Sequence, residues 1–123
     1  MNGNELSGQI IGAAMKVHSV LGPGLLESAY EGCLVHELKK RGFQVQSQVA
    51  LPVYYDGISI ELGYRLDLLI DNSIIVELKA VEKLTSLHQA QILSYLKLSN
   101  KHLGLLINFN VEHLKDGIKR VIL

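Results

Sequence analysis

Asp67 and, ten positions later, the run Glu77-Leu78-Lys79 are the residues of this chain whose types and spacing could do chemistry. Two apolar runs, rich in Leu, Ile and Val, flank Asp71, Asn72 and Ser73. Those three residues are turn formers, so the spacing predicts an antiparallel hairpin with a short loop. A three-residue loop would pair Ile70 with Ile74, place Asp67 opposite Glu77 and place Arg65 opposite Lys79. Directly opposed strand residues have Cβ atoms about 4.5–5.5 Å apart, and like charges there destabilise a sheet unless something neutralises them. A divalent cation between the two carboxylates is the economical neutraliser.

The alternation of side chains sharpens this reading. Leu66, Leu68, Ile70, Ile74, Val76 and Leu78 would share one wholly apolar face fit for a core. Arg65, Asp67, Glu77 and Lys79 would share the other, with Leu69 and Ile75 near the turn. Ordinary cross-strand ion pairs on a solvated face are the plainer explanation of such charges. Runs this apolar are expected to be covered on both faces, however, and uncompensated buried charge is costly, which favours a functional cluster.

The elements that must position these groups can also be read. Leu6, Ile10, Ala13, Ala14, Val17 and Leu21 recur at helical spacing from Glu5 to Leu21, and Gly22-Pro23-Gly24 stops the run. A second helix is predicted from about Leu25 to Lys40, with Lys39, Lys40 and Arg41 at its C-terminal end and Gly42 as its left-handed stop. Phe43 to Tyr55 alternates as a strand, with Pro52 demanding an edge or a bulge. Asp56-Gly57 is a hairpin turn into Ile58–Leu62. After the charged hairpin come a helix from about Ser86 to Ser99, a strand at Leu103–Phe109, and a short helix or turn before Ile118–Ile122.

Further candidates lie on the helices. Glu27 opens the second helix, where a carboxylate complements the helix dipole. Glu27 and Glu31 stand four apart on one face beside Tyr30, so a helix packed on the hairpin could deliver one of these carboxylates to a metal. His88, Gln91 and Tyr95 fall within about 60° of arc on the third helix, a polar seam or simply a partly solvated face. His18 reads as a partner of the first helix's C-terminal dipole, and His36, His102 and His113 have no ligand spacing. No Gly-x-Ser-x-Gly elbow supports a serine nucleophile. Gly22-Pro23-Gly24 lacks the preceding strand and the Lys-Ser/Thr of a phosphate loop.

Composition bounds the class of protein. A chain of 123 residues, 48% hydrophobic and 20% charged, with mean hydropathy +0.22, reads as a single globular domain over residues 1–123. Twelve basic and twelve acidic residues cancel, so any polyanion site must be local. The lone Cys33 excludes an intramolecular disulfide and a cysteine-based zinc site, and reads as inert core in a reducing compartment. The first twenty residues lack a basic leader, and Gln9, Gly12 and Lys16 break their apolar run, so they do not read as a signal peptide. No stretch approaches the roughly 18 apolar residues of a membrane span. A cytoplasmic protein without membrane attachment is expected.

Asp67, ten residues, then Glu77-x-Lys79 on a hairpin resembles the signature of the PD-(D/E)XK nuclease superfamily. Taken with Gly24-x-x-Glu27-x-x-Tyr30, Gly63 to Asp67, Val76 to Ala80, Gln91 to Tyr95 and Gly104 to Asn110, nearly the whole chain is similar to the GxxExxY family within that superfamily. Leu66 stands where the signature has proline, a departure that removes no ligand. The resemblance implies an α/β fold with a restriction-endonuclease-like core, a mixed central sheet flanked by helices. It implies Asp67, Glu77 and Glu27 as ligands of Mg²⁺ or Mn²⁺, with the Leu78 backbone carbonyl as a further ligand. Lys79 would position or activate the attacking water, Gln91 would brace the lysine or contact phosphate, and Tyr30, Arg65 and Tyr95 would be auxiliary.

Such a kit suits metal-dependent hydrolysis of a phosphodiester in nucleic acid, DNA ahead of RNA. Hard carboxylate oxygens favour Mg²⁺ or Mn²⁺ over zinc. Two rivals stand beside it: a non-catalytic module that binds nucleic acid or protein on the same fold, and a small subunit working as a homodimer or within a larger complex.

Overall fold

The computed structural model describes residues 1–123. Its elements run α1 (Gly3–Leu21), α2 (Glu27–Lys40), β1 (Val45–Ala50), β2 (Val53–Tyr55), β3 (Ile58–Ile60), β4 (Arg65–Ile70), β5 (Ile74–Lys79), α3 (Ser86–Ser99), β6 (Leu103–Asn108), a 3₁₀ turn (Leu114–Gly117) and β7 (Ile118–Ile122). Helix α1 begins two residues earlier than the periodicity suggests because the Asn2 side chain caps the Glu5 N–H. Helix α2 begins two residues later, at Glu27.

Five strands form one sheet in the order β1-β4-β5-β6-β7, antiparallel except for the parallel β5–β6 pair. That parallel pair requires the crossover that α3 supplies. Strands β2 and β3 pair only with each other, so the strand expected over Phe43–Tyr55 is interrupted between Ala50 and Val53. Pro52 sits at the break, where no ladder N–H is needed.

Helices cover both faces. Ile10, Ala14 and Val17 of α1 and Tyr30, Leu34 and Leu38 of α2 pack on Leu68, Ile70, Ile74, Val76 and Leu78. On the other face, Ile92, Tyr95 and Leu96 of α3 pack on Leu69, Ile75 and Leu106. Gly104 lets α3 lie close on β6, since a Cβ there would stand 2.8 Å from Ile92 Cδ1. The result is a mixed five-stranded sheet between helices, an architecture consistent with a nuclease-like fold of the PD-(D/E)XK type.

Three expectations need correction. Leu66 packs with Leu51, Leu69 and Ile75 on the α3 face rather than with Leu68, because β4 is distorted at Asp67, as described below. Cys33 is exposed, not core. His18 is nearly buried at 8% exposure, with its Nε2 2.7 Å from the Val111 carbonyl, so it ties α1 to the segment after β6 rather than merely facing a helix dipole.

Candidate active site

The turn at Asp71–Ser73 works as its residues imply. Asp71 and Asn72 adopt left-handed φ of 50° and 52°, Ser73 N–H donates to the Ile70 carbonyl at 3.0 Å, and Ile70 pairs with Ile74. Leu69–Ile75 and Leu68–Val76 follow in the same register. There the regular ladder stops, so Asp67–Glu77 and Arg65–Lys79 are not backbone pairs; Arg65 pairs with Ala50 of β1 instead.

Side chains replace the missing ladder bonds. Asp67 N–H donates to Glu77 Oε2 at 2.8 Å, and Leu78 N–H donates to Asp67 Oδ2 at 2.8 Å. On the other side of β4, pairing with β1 skips Asp67 opposite Gln48, which has a left-handed φ of 53°. Asp67 is therefore held in a local distortion of the sheet, with its charge and that of Glu77 each answered by one backbone donor. This is also why Leu66 turns away from Leu68.

Each carboxylate spends one oxygen in this way. Asp67 Oδ1 and Glu77 Oε1 have no hydrogen-bond partner, and no side-chain oxygen of the protein is both fully buried and unpartnered, so both atoms remain reachable from solvent. Burial, followed by the negative charge of Asp67, pushes the Glu77 carboxyl up to about 8, and the hydrogen bond from the Asp67 N–H, then Lys79, only partly offset this. Glu27, at the surface end of α2, is also pushed up, first by partial desolvation and then by Asp67, with Lys79 opposing. Glu27 thus shares the field of Asp67 and Lys79. The hard oxygen donors and mutual repulsion fit a divalent cation, although no three His, Cys, Asp or Glu side chains stand together in a metal-holding arrangement.

The two candidate glutamates of α2, Glu27 and Glu31, are now distinguishable. Glu31 accepts from Gln48 Nε2 at 2.7 Å, and the Gln48 carbonyl accepts from Arg65 Nη1 at 3.2 Å, so Glu31 and Arg65 brace the distorted β1–β4 segment. Glu27 has no such partner. Tyr30 is fully buried and stacked on Phe109 with ring centroids 4.5 Å apart. Its hydroxyl donates to the Gly22 carbonyl at 2.6 Å and accepts from Leu25 N–H at 3.1 Å. The spacing Gly24-x-x-Glu27-x-x-Tyr30 thereby has a physical reason: the tyrosine closes the loop that starts α2, and the loop sets where Glu27 stands.

Lys79 leaves the end of β5 toward α3, where its Nζ lies 3.4 Å from Gln91 Oε1. Together with Tyr64 and Tyr95 these two residues line an open cleft of about 600 Å³. Tyr95 is 8% exposed, and burial, then Glu77, raises its hydroxyl above the usual tyrosine range. His88 caps α3 reciprocally with Thr85, which explains its place in the polar seam without a ligand role.

Three residues escaped the sequence reading. Gln48 shows no signal in a strand of mixed polarity. Tyr64, at the cleft mouth, is flagged only by Gly63, whose φ of 79° marks a local departure from the strand. Asn108, 2% exposed, clamps the segment after Lys79 by accepting from Val81 N–H at 3.1 Å and donating to its carbonyl at 2.9 Å; the signal was a polar residue ending the apolar run of β6.

Searches among curated proteins and solved structures return no match. A family model described as the PD-(D/E)XK nuclease superfamily matches residues 4–121. With nearly its whole length so matched, and with Asp67, Glu77 and Lys79 carried on the central hairpin, the chain belongs to the PD-(D/E)XK nuclease superfamily.

Proposed function

We propose that this chain hydrolyses phosphodiester bonds of nucleic acid, DNA ahead of RNA, using Mg²⁺ or Mn²⁺, as a single-domain member of the GxxExxY branch of its superfamily. Nucleases of the superfamily generally use divalent ions. The observation that carries the reading is the pair Asp67–Glu77, each with one oxygen on a backbone N–H and one left free, beside Lys79 at the mouth of a cleft.

Asp67 and Glu77 would hold the ion through their free oxygens, with Glu27 joining from α2. The Leu78 carbonyl is a further donor, because the N–H and C=O of a strand residue point to the same edge and the Leu78 N–H already faces Asp67. A cation there supplies polarisation of a phosphoryl oxygen, activation of water and stabilisation of the leaving alkoxide. Lys79 adds positive charge where negative charge develops on the phosphoryl group. Gln91 orients the ammonium and keeps it on the cleft side.

The decisive experiment is a Mg²⁺ and Mn²⁺ cleavage screen over single-stranded, double-stranded and branched DNA and over RNA, with Asp67→Ala alongside. Cleavage by the wild type and its loss in the variant is expected. The same ions should raise the melting temperature of the wild type and not of Asp67→Ala, by the equivalent of about 2.7 kcal/mol at a hundredfold excess over Kd. No binding at millimolar metal, with unchanged melting, would favour the non-catalytic binding module, which the zero net charge and the lack of a three-carboxylate cluster also suit.

A further inference from the structure

We infer that the cleft between Tyr64 and α3 receives an unpaired nucleobase next to the scissile phosphate, so that the substrate is single-stranded or locally opened nucleic acid. The inference rests on the proposed hydrolytic reading for the identity of the adjoining site. Its own support lies in the walls of the cleft.

Tyr64 keeps 45% of its surface in solvent, while its ring is braced by the nearly buried Tyr95 at a centroid distance of 6.2 Å and an interplanar angle of 51°. A tilted aromatic pair of this kind holds one ring in place and leaves a face open for stacking. Leu87 and Leu98 add apolar wall, the Ser94 hydroxyl has no partner within the molecule, and Lys79 is the cleft's one cationic residue. At about 600 Å³ the space lies in the range of small-ligand sites.

Electrostatics point the same way. Proteins that grip a duplex by its backbone neutralise many phosphates, whereas this chain has no net charge. The β2–β3 arm leaves the body where Leu51 N–H donates to the Tyr64 carbonyl at 2.8 Å, so the arm is rooted at the cleft mouth. It exposes Tyr54 and Tyr55 and carries Asp56 and Glu61 without any Lys or Arg. Such a surface repels phosphate and accepts bases. Stacking contributes about 1–3 kcal/mol per base, enough to replace the missing backbone contacts.

The test uses the full-length Asp67→Asn chain in Mg²⁺, so that binding is read without hydrolysis. Labelled oligo-dT, oligo-rU, a dT duplex with dA and an abasic DNA strand of equal length are titrated. The single strands should bind more tightly than the duplex, the abasic strand should bind least, and log Kd should vary with log salt by about one or less, as one lysine allows. Adding Tyr64→Ala should weaken single-strand binding roughly 5- to 150-fold, with Tyr64→Phe restoring it; because Tyr64 is exposed, melting curves should be unchanged. Comparable DNA and RNA binding supports base stacking, and a preference between them names the source of the base. Equal binding of abasic and base-bearing strands, tighter duplex binding, or an unaffected Tyr64→Ala chain overturns the inference. A chain that binds bases but never cleaves leaves it standing and removes the hydrolytic reading. A chain that cleaves but ignores bases does the reverse.

Discussion

Glu37 and Glu77 are withdrawn from solvent to a similar degree, at 8% and 4% exposure, yet they stand in opposite company. Glu37, near the end of α2, takes Lys16 Nζ at 3.1 Å and Arg41 Nε at 3.2 Å, and the Lys16 bond leads in drawing its carboxyl below the usual range. Glu77 faces Asp67, and its carboxyl rises to about 8. The first arrangement joins α1 to α2. The second leaves two carboxyl groups together in a half-broken ladder, where ionising both is costly, and that cost makes sense where a cation completes the site.

The largest expected effect tests whether the cation beside the strained pair is functional. Lys79→Ala should reduce metal-dependent cleavage about 10²- to 10³-fold, comparable with removal of one transition-state donor. It should bind Mg²⁺ at least as well as the wild type, since a nearby positive charge is gone. Calorimetry showing that the variant instead loses the ion would make Lys79 a structural partner of the carboxylates.

The next effect concerns pH and separates the two glutamates. Between the ordinary carboxylate value of 4.5 and about 8, folded Glu77 holds a proton that the unfolded chain has released. Metal-free stability should therefore fall as pH rises through that window, by on the order of 5 kcal/mol at about 1.4 kcal/mol per unit. Glu77→Gln, which keeps an acceptor for the Asp67 N–H, should flatten the slope and melt higher than the wild type above pH 8. Parallel slopes in denaturant melts of the two proteins would dissolve the contrast.

Glu37 has the reverse sign. Its lowered carboxyl contributes stability above the ordinary value of 4.5 that is lost as pH falls. Glu37→Gln should lower the melting temperature at neutral pH, with the difference from wild type closing in acid, while cleavage at permissive temperature is unchanged.

The smallest expected effect refines the site. Gln91→Ala should lower kcat about 2- to 10-fold through loss of one hydrogen bond to Lys79, leaving metal affinity intact. A change in metal binding without a change in kcat would place Gln91 with the ligands rather than with the lysine.

Local chemistry made much of this protein legible in its sequence. Turn residues at Asp71–Ser73 set the hairpin register, apolar periodicity marked the first two helices, and the spacing of Asp67, Glu77 and Lys79 singled out the central hairpin, because each of these depends on interactions a few residues apart. The tertiary structure decided the rest. Register predicts which residues oppose one another, but not that carboxylates will capture backbone N–H groups and end the ladder, which turned Leu66 to the other face. Helical spacing placed Glu27 and Glu31 on one face equally; only the packing of α2 against a left-handed Gln48 engaged Glu31 and left Glu27 without a hydrogen-bond partner in the field of Asp67. Tyr30 and Tyr64 look alike in sequence, and long-range packing buried the first on Phe109 and left the second open at the cleft. Contacts between residues distant along the chain carry no local periodicity, so the roles they assign emerge only when the sheet and helices close around the site.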